Sequence, residues 1–208
     1  MKNVIIVDDE KMVRELFTFY LSTASDKYRL IGGISNAANA IVLCVKYSVD
    51  LILMDICTSD HESGIEATAE IKRKFPNTKI IIVTSAPDYR FITMAREAGA
   101  DSFWYKEVSN EELIDVTDRT MAGESIYPDT TPEVKVGFAK SIEFTNKELE
   151  VLYYVVKGKS LTEVAVIMGV EYRTTRDHIQ HLKDKTGAKT LSELAVLAAR
   201  AQIVLPEY

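Results

Sequence analysis

Cysteine and histidine are scarce in this sequence, which has only two of the first and three of the second among 208 residues. Cys44 and Cys57 form neither a CxxC pair nor a disulfide framework, so we expect two reduced thiols. The histidines are too scattered along the chain to form a zinc site. These absences argue against a metal-stapled or disulfide-stapled protein.

The sequence also lacks long hydrophobic runs. No segment approaches the roughly 18 apolar residues that a membrane span requires. Met1-Lys2-Asn3 leads directly into an apolar strand, without the pattern of a secretory signal. We therefore expect a cytoplasmic protein with no membrane partner.

The charge is distributed unevenly along the chain, whose net charge is −6. Residues 1–128 contain 14 Lys and Arg against 20 Asp and Glu, whereas residues 129–208 contain 11 of each kind. Residues 157–189 are locally basic, with seven Lys and Arg against four Asp and Glu. A chain of this length suits two small domains, and the charge predicts different partners for them.

The first part of the chain alternates between predicted strands and predicted helices. The strands are expected at 4–7, 30–34, 51–55, 79–83 and 101–105. The helices are expected at 11–24, 36–47, 63–75 and 88–98, with a last one opening at a Ser109/Glu112 capping box. This alternation predicts an α/β doubly wound, five-stranded parallel sheet of the flavodoxin-like kind, with strand order 2-1-3-4-5.

Polar residues stand where these strands end. Asp8 and Asp9 follow the first strand, Asp55 the third, Thr84 the fourth and Lys106 the fifth. In an open parallel sheet, ligands bind outside these carboxyl ends. Three carboxylates at one edge would repel one another without a cation, and Mg²⁺ is the ion that prefers such hard oxygens.

The same set of residues suits phosphoryl transfer. Asp55 would be the nucleophile and would form an acyl phosphate. The ammonium of Lys106, together with Mg²⁺, would neutralise the phosphoryl charge, and Thr84 would hydrogen-bond one of its oxygens.

Residues 123–140 interrupt the pattern with proline and glycine and are predicted to be a linker. The remaining residues, 141–208, are predicted to form a small all-helical domain. Three capping boxes are expected there, at Thr145/Glu148, Ser160/Glu163 and Thr190/Glu193. Two short helices around a glycine turn, the second at about 171–185, predict a helix-turn-helix.

The second of these helices has two distinct faces. Thr175, Ile179 and Leu182 would face the core. The opposite face carries Arg173, Arg176, Asp177, Gln180 and Asp184. Arg and Gln can make paired hydrogen bonds to base edges in the major groove, which predicts double-stranded DNA as a partner. The lysines that could meet phosphates are Lys157, Lys159, Lys183, Lys185 and Lys189.

Residues 3–122 resemble the receiver domain of a two-component response regulator. The matching stretches are Val7-Asp8-Asp9-Glu10, Leu53-Met54-Asp55-Ile56, Thr84-Ser85-Ala86 and Ala98-Gly99-Ala100-Asp101, followed by Lys106. The resemblance implies that a sensor histidine kinase phosphorylates Asp55, and that Thr84 and Phe103 form the switch pair. It also implies that Asp9 binds Mg²⁺ directly, Asp8 through water, and Cys57 through its backbone carbonyl.

The chain departs from the receiver pattern after Asp55. Thr58-Ser59 stands where the family usually has Met-Pro, and Gly64 lies nine residues beyond Asp55, one more than usual. The loop is thus longer and, without proline, less restrained.

Residues 141–203 resemble the LuxR-type helix-turn-helix of the NarL/FixJ family. The matching stretches are Phe144-Thr145, Glu148, Glu150-Val151-Leu152, Lys157-Gly158-Lys159-Ser160, Glu163-Val164-Ala165, Met168-Gly169-Val170 and Arg173-Thr174-Thr175-Arg176-Asp177-His178. The resemblance implies that Arg176, Asp177 and Gln180 lie toward bases. Arg173, Thr174 and Lys183 complete the expected DNA-binding set. Glu171 replaces the family's Ser cap and predicts a weaker start to this helix.

The interpretation is a DNA-binding transcriptional response regulator, not a conventional enzyme, in which phosphorylation on Asp55 controls homodimerisation and DNA binding. One alternative is a DNA-binding protein that works without phosphorylation and whose receiver only dimerises. Another is a phosphotransfer sink whose C-terminal domain binds protein. Asp9, Thr84 and Lys106 argue against the first alternative, and Arg176 and Gln180 against the second.

Overall fold

A computed structural model describes residues 1–59, 63–106 and 112–204 of the chain. They form two compact units, and the main division falls between Asp129 and Thr130. Among the described helices, none combines the length and the apolar character that crossing a bilayer would need.

The first unit contains a parallel sheet of five strands. They are β1 (Lys2–Val7), β2 (Tyr28–Ile34), β3 (Leu51–Met54), β4 (Lys79–Thr84) and β5 (Ser102–Tyr105). The helices between and after them are α1 (Lys11–Thr23), α2 (Ala38–Lys46), α3 (Gly64–Lys74), α4 (Phe91–Glu97) and α5 (Leu113–Met121). The strand order is β2-β1-β3-β4-β5, which confirms the predicted fold class.

The central strands carry apolar residues on both faces because helices cover the sheet on both sides. All four residues of β3 are fully buried, and so are Ile80 to Val83 of β4. On β5, Trp104 packs edge-on against Phe17 of α1, with ring centroids 6.2 Å apart. The buried sheet gives the strand ends a rigid base.

The strand register brings the predicted polar residues to one edge of the sheet. Val7 pairs with Met54, so Asp8 and Asp55 follow paired residues of adjacent strands. Thr84 likewise pairs with Tyr105, and the amide of Lys106 donates to the carbonyl of Thr84 at 3.0 Å. The carboxyl ends of β1, β3, β4 and β5 therefore meet around one point.

Helix ends differ from the prediction by a few residues. The helix expected at 88–98 spans only Phe91–Glu97. The last helix of this unit begins at Leu113, and the Glu112 side chain makes no capping bond. The predicted box used Ser109, which lies outside the described residues.

The second unit begins with a hairpin and continues as helices. The hairpin strands are β6 (Lys135–Val136) and β7 (Ala139–Lys140), inside the segment predicted as linker. Val136 and Ala139 are buried in the core of this unit. The turn needs glycine, because Gly137 has φ +62° and a Cβ there would lie 2.1 Å from the carbonyl oxygen of Thr186. The turn of the hairpin therefore packs against the carboxyl end of the helix that contains Thr186.

Four helices complete the second unit: α6 (Asn146–Val156), α7 (Leu161–Met168), α8 (Tyr172–Thr186) and α9 (Leu191–Arg200). A 3-10 turn at Ser141–Glu143 precedes them. Thr175, Ile179 and Leu182 of α8 are buried, as the helical spacing predicted. Between α7 and α8, Gly169 has φ +64° and ends the first helix.

The capping predictions for this unit are confirmed for two of three boxes. Thr145/Glu148 and Ser160/Glu163 both form reciprocal bonds. The third is half formed, because the Glu193 carboxylate accepts from the amide of Lys189 instead of that of Thr190.

Candidate functional site

The edge of the sheet holds a cluster of three carboxylates. One oxygen each from Asp8, Asp9 and Asp55 lie within 4.8 Å of one another. Asp8 is fully buried, Asp55 is 5% exposed, and Asp9 is exposed. Buried carboxylates of like charge are unfavourable without a positive partner, so the cluster needs one.

Lys106 supplies positive charge to the two buried members of the cluster. Its ammonium nitrogen lies 2.6 Å from Oδ2 of Asp8 and 2.9 Å from Oδ2 of Asp55. Although burial alone would lower the pKa of Lys106, Asp55 and Asp8 together raise it. The lysine therefore stays charged, in a place where it can neutralise a group attached to Asp55.

The pKa of the Asp55 carboxyl differs from its ordinary value. Burial, reinforced by Asp8, raises the pKa of Asp55 to about 6, against the opposing effects of Lys106 and of the hydrogen bond from the amide of Ile56. That bond is 2.7 Å long and fixes Oδ1. Oδ2 faces the ammonium of Lys106, so both oxygens of the Asp55 carboxyl have defined surroundings.

The chain after Asp55 returns very close to it at Gly64. A Cβ on Gly64 would lie only 1.8 Å from the carbonyl oxygen of Asp55, so only glycine fits. Thr58, which departs from the receiver pattern, is buried. Its hydroxyl accepts a hydrogen bond from the amide of Ala37 at 3.3 Å. A polar contact with the start of α2 thus restrains this part of the loop.

The remaining predicted residues of this site are Thr84, Phe103 and Cys57. Thr84, at the end of β4, is 1% exposed. Phe103 on β5 is 2% exposed, and its ring packs edge-on against Tyr105 with centroids 4.9 Å apart. Cys57 is partly exposed and pairs with Ser63 through an isolated bridge.

The carboxylate cluster fits a magnesium ion. Oδ2 of Asp8 is buried and makes no hydrogen bond of good geometry, although it contacts Lys106. Hard oxygens at this spacing are the donors that Mg²⁺ uses when one or two carboxylates and a phosphate bind it. The three carboxylates therefore offer the kind of donors that this ion uses.

Arg14, in the first turn of α1, has no role that the sequence predicts. Its Nη1 donates to the backbone carbonyls of both Asp8 and Asp9. The sequence offers a weak signal for this contact, because a basic residue so close to an acidic loop also suits an ordinary surface position.

The second predicted site lies on the outer face of α8. The side chains of Arg173, Arg176 and Asp177 are 79%, 60% and 48% exposed. Asp177 lies between the two arginines, with its oxygens 3.8 Å from Nε of Arg173 and 3.6 Å from Nη2 of Arg176. These long, exposed ion pairs are weak and leave the arginines available to a partner.

Other predicted members of this face are also accessible. Thr174 and Gln180 are exposed, and Lys183 is partly exposed. Gln180 donates to Asp184, one turn further along the helix, at 2.7 Å. The face is continuous, since its members project opposite the buried row of α8.

The prediction that Lys185 meets phosphates needs correction. Lys185 bonds to both carboxylate oxygens of Glu148, at 2.9 and 2.8 Å, and to the carbonyl of Glu143. Glu148 is 3% exposed. Burial alone would raise the pKa of Glu148, but the bonds from Lys185 and Thr145 outweigh it and lower that pKa. Lys185 thus ties α8 to the start of α6.

Fold and site define a protein with an acidic pocket at the edge of a doubly wound sheet and with a helix-turn-helix. Residues 4–118 match the response regulator receiver domain, and residues 143–198 match the luxR family of bacterial regulatory proteins. The response regulator protein VraR of Staphylococcus aureus is 30% identical over 206 residues, covering 97% of this chain and 98% of VraR.

Solved structures give the same result for the fold. RcsB from Salmonella enterica serovar Typhimurium, bound to promoter rprA with the phosphomimetic BeF3−, has a TM-score of 0.60 at 20% identity, covering 95% of this chain and 98% of RcsB. A LuxR-family response regulator from an Aurantimonas species has a TM-score of 0.54 at 27% identity, covering 60% and 87%. The chain belongs to the two-component response regulators of the NarL/FixJ family, with a receiver and a LuxR-type helix-turn-helix.

Proposed function

We propose that this response regulator accepts a phosphoryl group on Asp55 from a sensor histidine kinase, and that phosphorylation controls its dimerisation and its binding to DNA. The observation that carries this proposal is the pairing of Asp55 with Lys106 beside two further carboxylates, Asp8 and Asp9. A carboxylate so placed can act as nucleophile, because a fixed cation stands ready for the charge it receives.

In the proposed transfer, a carboxylate oxygen of Asp55 attacks the phosphorus of a phosphohistidine. A P–O bond forms, the P–N bond breaks, and the kinase imidazole leaves with the electron pair. Lys106 offsets the phosphoryl charge, and the Thr84 hydroxyl donates to a phosphoryl oxygen. In this scheme the kinase supplies the phosphoryl group, and the chain is its substrate.

We propose Mg²⁺ as the cofactor, held by Asp8, Asp9, Asp55 and the backbone carbonyl of Cys57. When bound, the ion would neutralise phosphoryl oxygens in the same pocket. Asp9 is the exposed member and would bind the ion directly, whereas the buried Asp8 would act through water.

The switch pair would carry the signal. When Thr84 turns toward the phosphoryl group, it leaves space that the buried ring of Phe103 can fill, and the surface near α4 changes. The phosphorylated form would then pair two chains, which raises the effective concentration of the second helix-turn-helix at DNA.

On DNA, we propose that α8 enters the major groove. Arg176, Gln180 and Asp177 would face bases, Asp177 as an acceptor for a cytosine amino group. Arg173, Thr174 and Lys183 would face the backbone. We further propose the arrangement 1–122 receiver, 123–140 connecting segment and 141–208 DNA-binding domain, and a location in the cytoplasm, where bacterial DNA is accessible.

Labelling by a small phosphoryl donor tests the proposed acceptor and its metal. With acetyl phosphate and Mg²⁺, the wild type should gain acid-labile, hydroxylamine-sensitive phosphate, and Asp55→Asn should gain none. Asp9→Ala should weaken both labelling and Mg²⁺ affinity, whereas Glu10→Ala, a matched change at the exposed neighbour, should alter neither. Full labelling of Asp55→Asn would refute the assigned acceptor, and unchanged Mg²⁺ affinity in Asp9→Ala would refute the ligand role.

A further inference from the structure

One guanidinium nitrogen spans the two consecutive carbonyls of the acidic loop after β1. Nη1 of Arg14 lies 2.6 Å from the carbonyl oxygen of Asp8 and 3.0 Å from that of Asp9. A cationic donor makes stronger hydrogen bonds than a neutral one, and here it makes two from a single atom. The contact fixes the backbone from which two carboxylates of the cluster project.

The other contacts of this loop hold Asp8 more firmly than Asp9. The amide of Asp8 donates to the carbonyl of Ile34 at 3.0 Å, and Oδ1 of Asp8 accepts from the amide of Glu10 at 3.0 Å. Asp9 is exposed, and within the part of the chain that the structure describes its only hydrogen bond is the one from Arg14. The position of Asp9 therefore depends on this side chain.

The Arg14 side chain runs from the first turn of α1 past β2 to the acidic loop. Its backbone amide donates to the carbonyl of Glu10 at 3.1 Å, in the first turn of α1. Its Cδ would lie 3.9 Å from a Cβ placed on Gly33, so the stem passes over a bare stretch of β2. The two hydrogen bonds of Nη1 therefore hold the end of the Arg14 side chain against the acidic loop.

We propose that Arg14 is a positioning residue of the metal site, which sets Asp9 for Mg²⁺ through its backbone carbonyl. This inference rests on the proposed function, since it assumes that the cluster binds the ion. Among the described residues, the recorded partners of the guanidinium are these two carbonyls and not carboxylates, so it does not compete with Mg²⁺ for the same oxygens. Residues that orient metal ligands in this way typically contribute about 10-fold or more to metal affinity.

Arg29 offers a matched control on the same unit. Arg29 also makes two hydrogen bonds, from Nε and Nη2 to Oδ1 of Asn3. These bonds join the starts of β2 and β1, at the opposite end of the strands from the carboxylate cluster. Arg29→Ala and Arg14→Ala remove the same charge and the same side chain. Only the loss of a residue that positions the metal ligands should lower the affinity for Mg²⁺.

Calorimetric titration of the full chain with Mg²⁺ tests the proposal. Arg14→Ala should weaken Mg²⁺ binding about 10-fold, Arg29→Ala should leave it unchanged, and Arg14→Lys, which keeps a cationic donor, should recover part of the loss. Labelling by acetyl phosphate should fail for Arg14→Ala at low Mg²⁺ and return at saturating Mg²⁺. A purely structural role would not produce that return. Arg14→Gln, which keeps an uncharged donor, replaces Arg14→Ala if the latter does not fold.

Two results would overturn the inference while leaving the proposed function intact. They are wild-type Mg²⁺ affinity in Arg14→Ala, and an equal loss of affinity in Arg29→Ala. If the wild type itself bound no Mg²⁺, both this inference and the proposed metal site would be refuted.

Discussion

Lys106 bonds to Asp55 across 51 residues of chain, with 2.9 Å between its ammonium nitrogen and Oδ2. A phosphoryl group on Asp55 would place new anionic oxygens where this bond now lies. The lysine would then exchange a carboxylate partner for a phosphoryl partner without leaving the pocket.

The raised pKa of Asp55 predicts an unusual pH dependence of stability in the absence of metal. Between its ordinary value near 3.8 and about 6, the folded chain keeps a proton that the unfolded chain has lost. Stability from this group should therefore fall as pH rises through that range, by about 3 kcal/mol. Asp55→Asn cannot titrate and should gain stability relative to wild type between pH 4 and pH 7.5. Urea unfolding in EDTA measures this difference, and parallel pH profiles would contradict it.

Thr84→Ala should separate phosphorylation from its consequences. The variant keeps Asp55, Lys106 and the carboxylates, so acetyl phosphate should still label it. Without the hydroxyl, the phosphoryl group binds both states of the switch more equally, and the gain in dimer should be largely lost. Ser85→Ala, at the exposed neighbouring hydroxyl, should dimerise as wild type does. Analytical ultracentrifugation measures the fraction of dimer. A normal gain in dimer for Thr84→Ala would show that the signal takes another route.

Glu148→Gln should destabilise the second unit by about 2 kcal/mol at pH 7, because Lys185 loses a charged, doubly bonded partner. The pKa of Glu148 is lowered in the folded state, so its contribution is present above the ordinary value near 4.5 and lost as pH falls below it. Glu150→Gln, which removes an exposed pair with Lys147, should have little effect. Equal losses in the two variants by urea unfolding would refute a special role for the buried pair.

Arg176 and Lys183 should differ in what they contribute at DNA. Arg176→Ala should cost about 1–3 kcal/mol at a cognate site if its guanidinium pairs with a guanine. Lys183→Ala should weaken binding to all DNA sequences alike. It should also reduce the slope of log affinity against log salt concentration by about 1. Binding to specific and random fragments across a salt series distinguishes them. If both variants lost affinity equally on every sequence, α8 would not read bases.

The sheet and the positions of its strand-end residues could be predicted because buried strands leave an unmistakable apolar pattern. The run from Leu51 to Met54 is fully buried, and it delivers Asp55 to the edge as expected. The sequence distinguishes Gly64 only by its spacing from Asp55. Its reason, a close approach to the carbonyl of Asp55, requires coordinates.

Long-range polar contacts could not be predicted in the same way. The charge of Lys185 indicated a basic surface, but its partner Glu148 lies 37 residues away and was assigned only to a cap. The two-residue strands β6 and β7 are too short to produce a periodic signal, so the hairpin was predicted as linker. Arg14 was missed because its partners are backbone carbonyls, which no side-chain pattern reveals.

The central claim is that phosphorylation of Asp55 controls binding to DNA. Binding of the full chain to genomic DNA fragments, with Mg²⁺ and with or without acetyl phosphate, tests it most directly when Asp55→Asn is measured beside the wild type. Acetyl phosphate should tighten binding by the wild type to a subset of fragments and have no effect on binding by Asp55→Asn. Sequence-specific binding that is equally tight with and without acetyl phosphate in both proteins would contradict it.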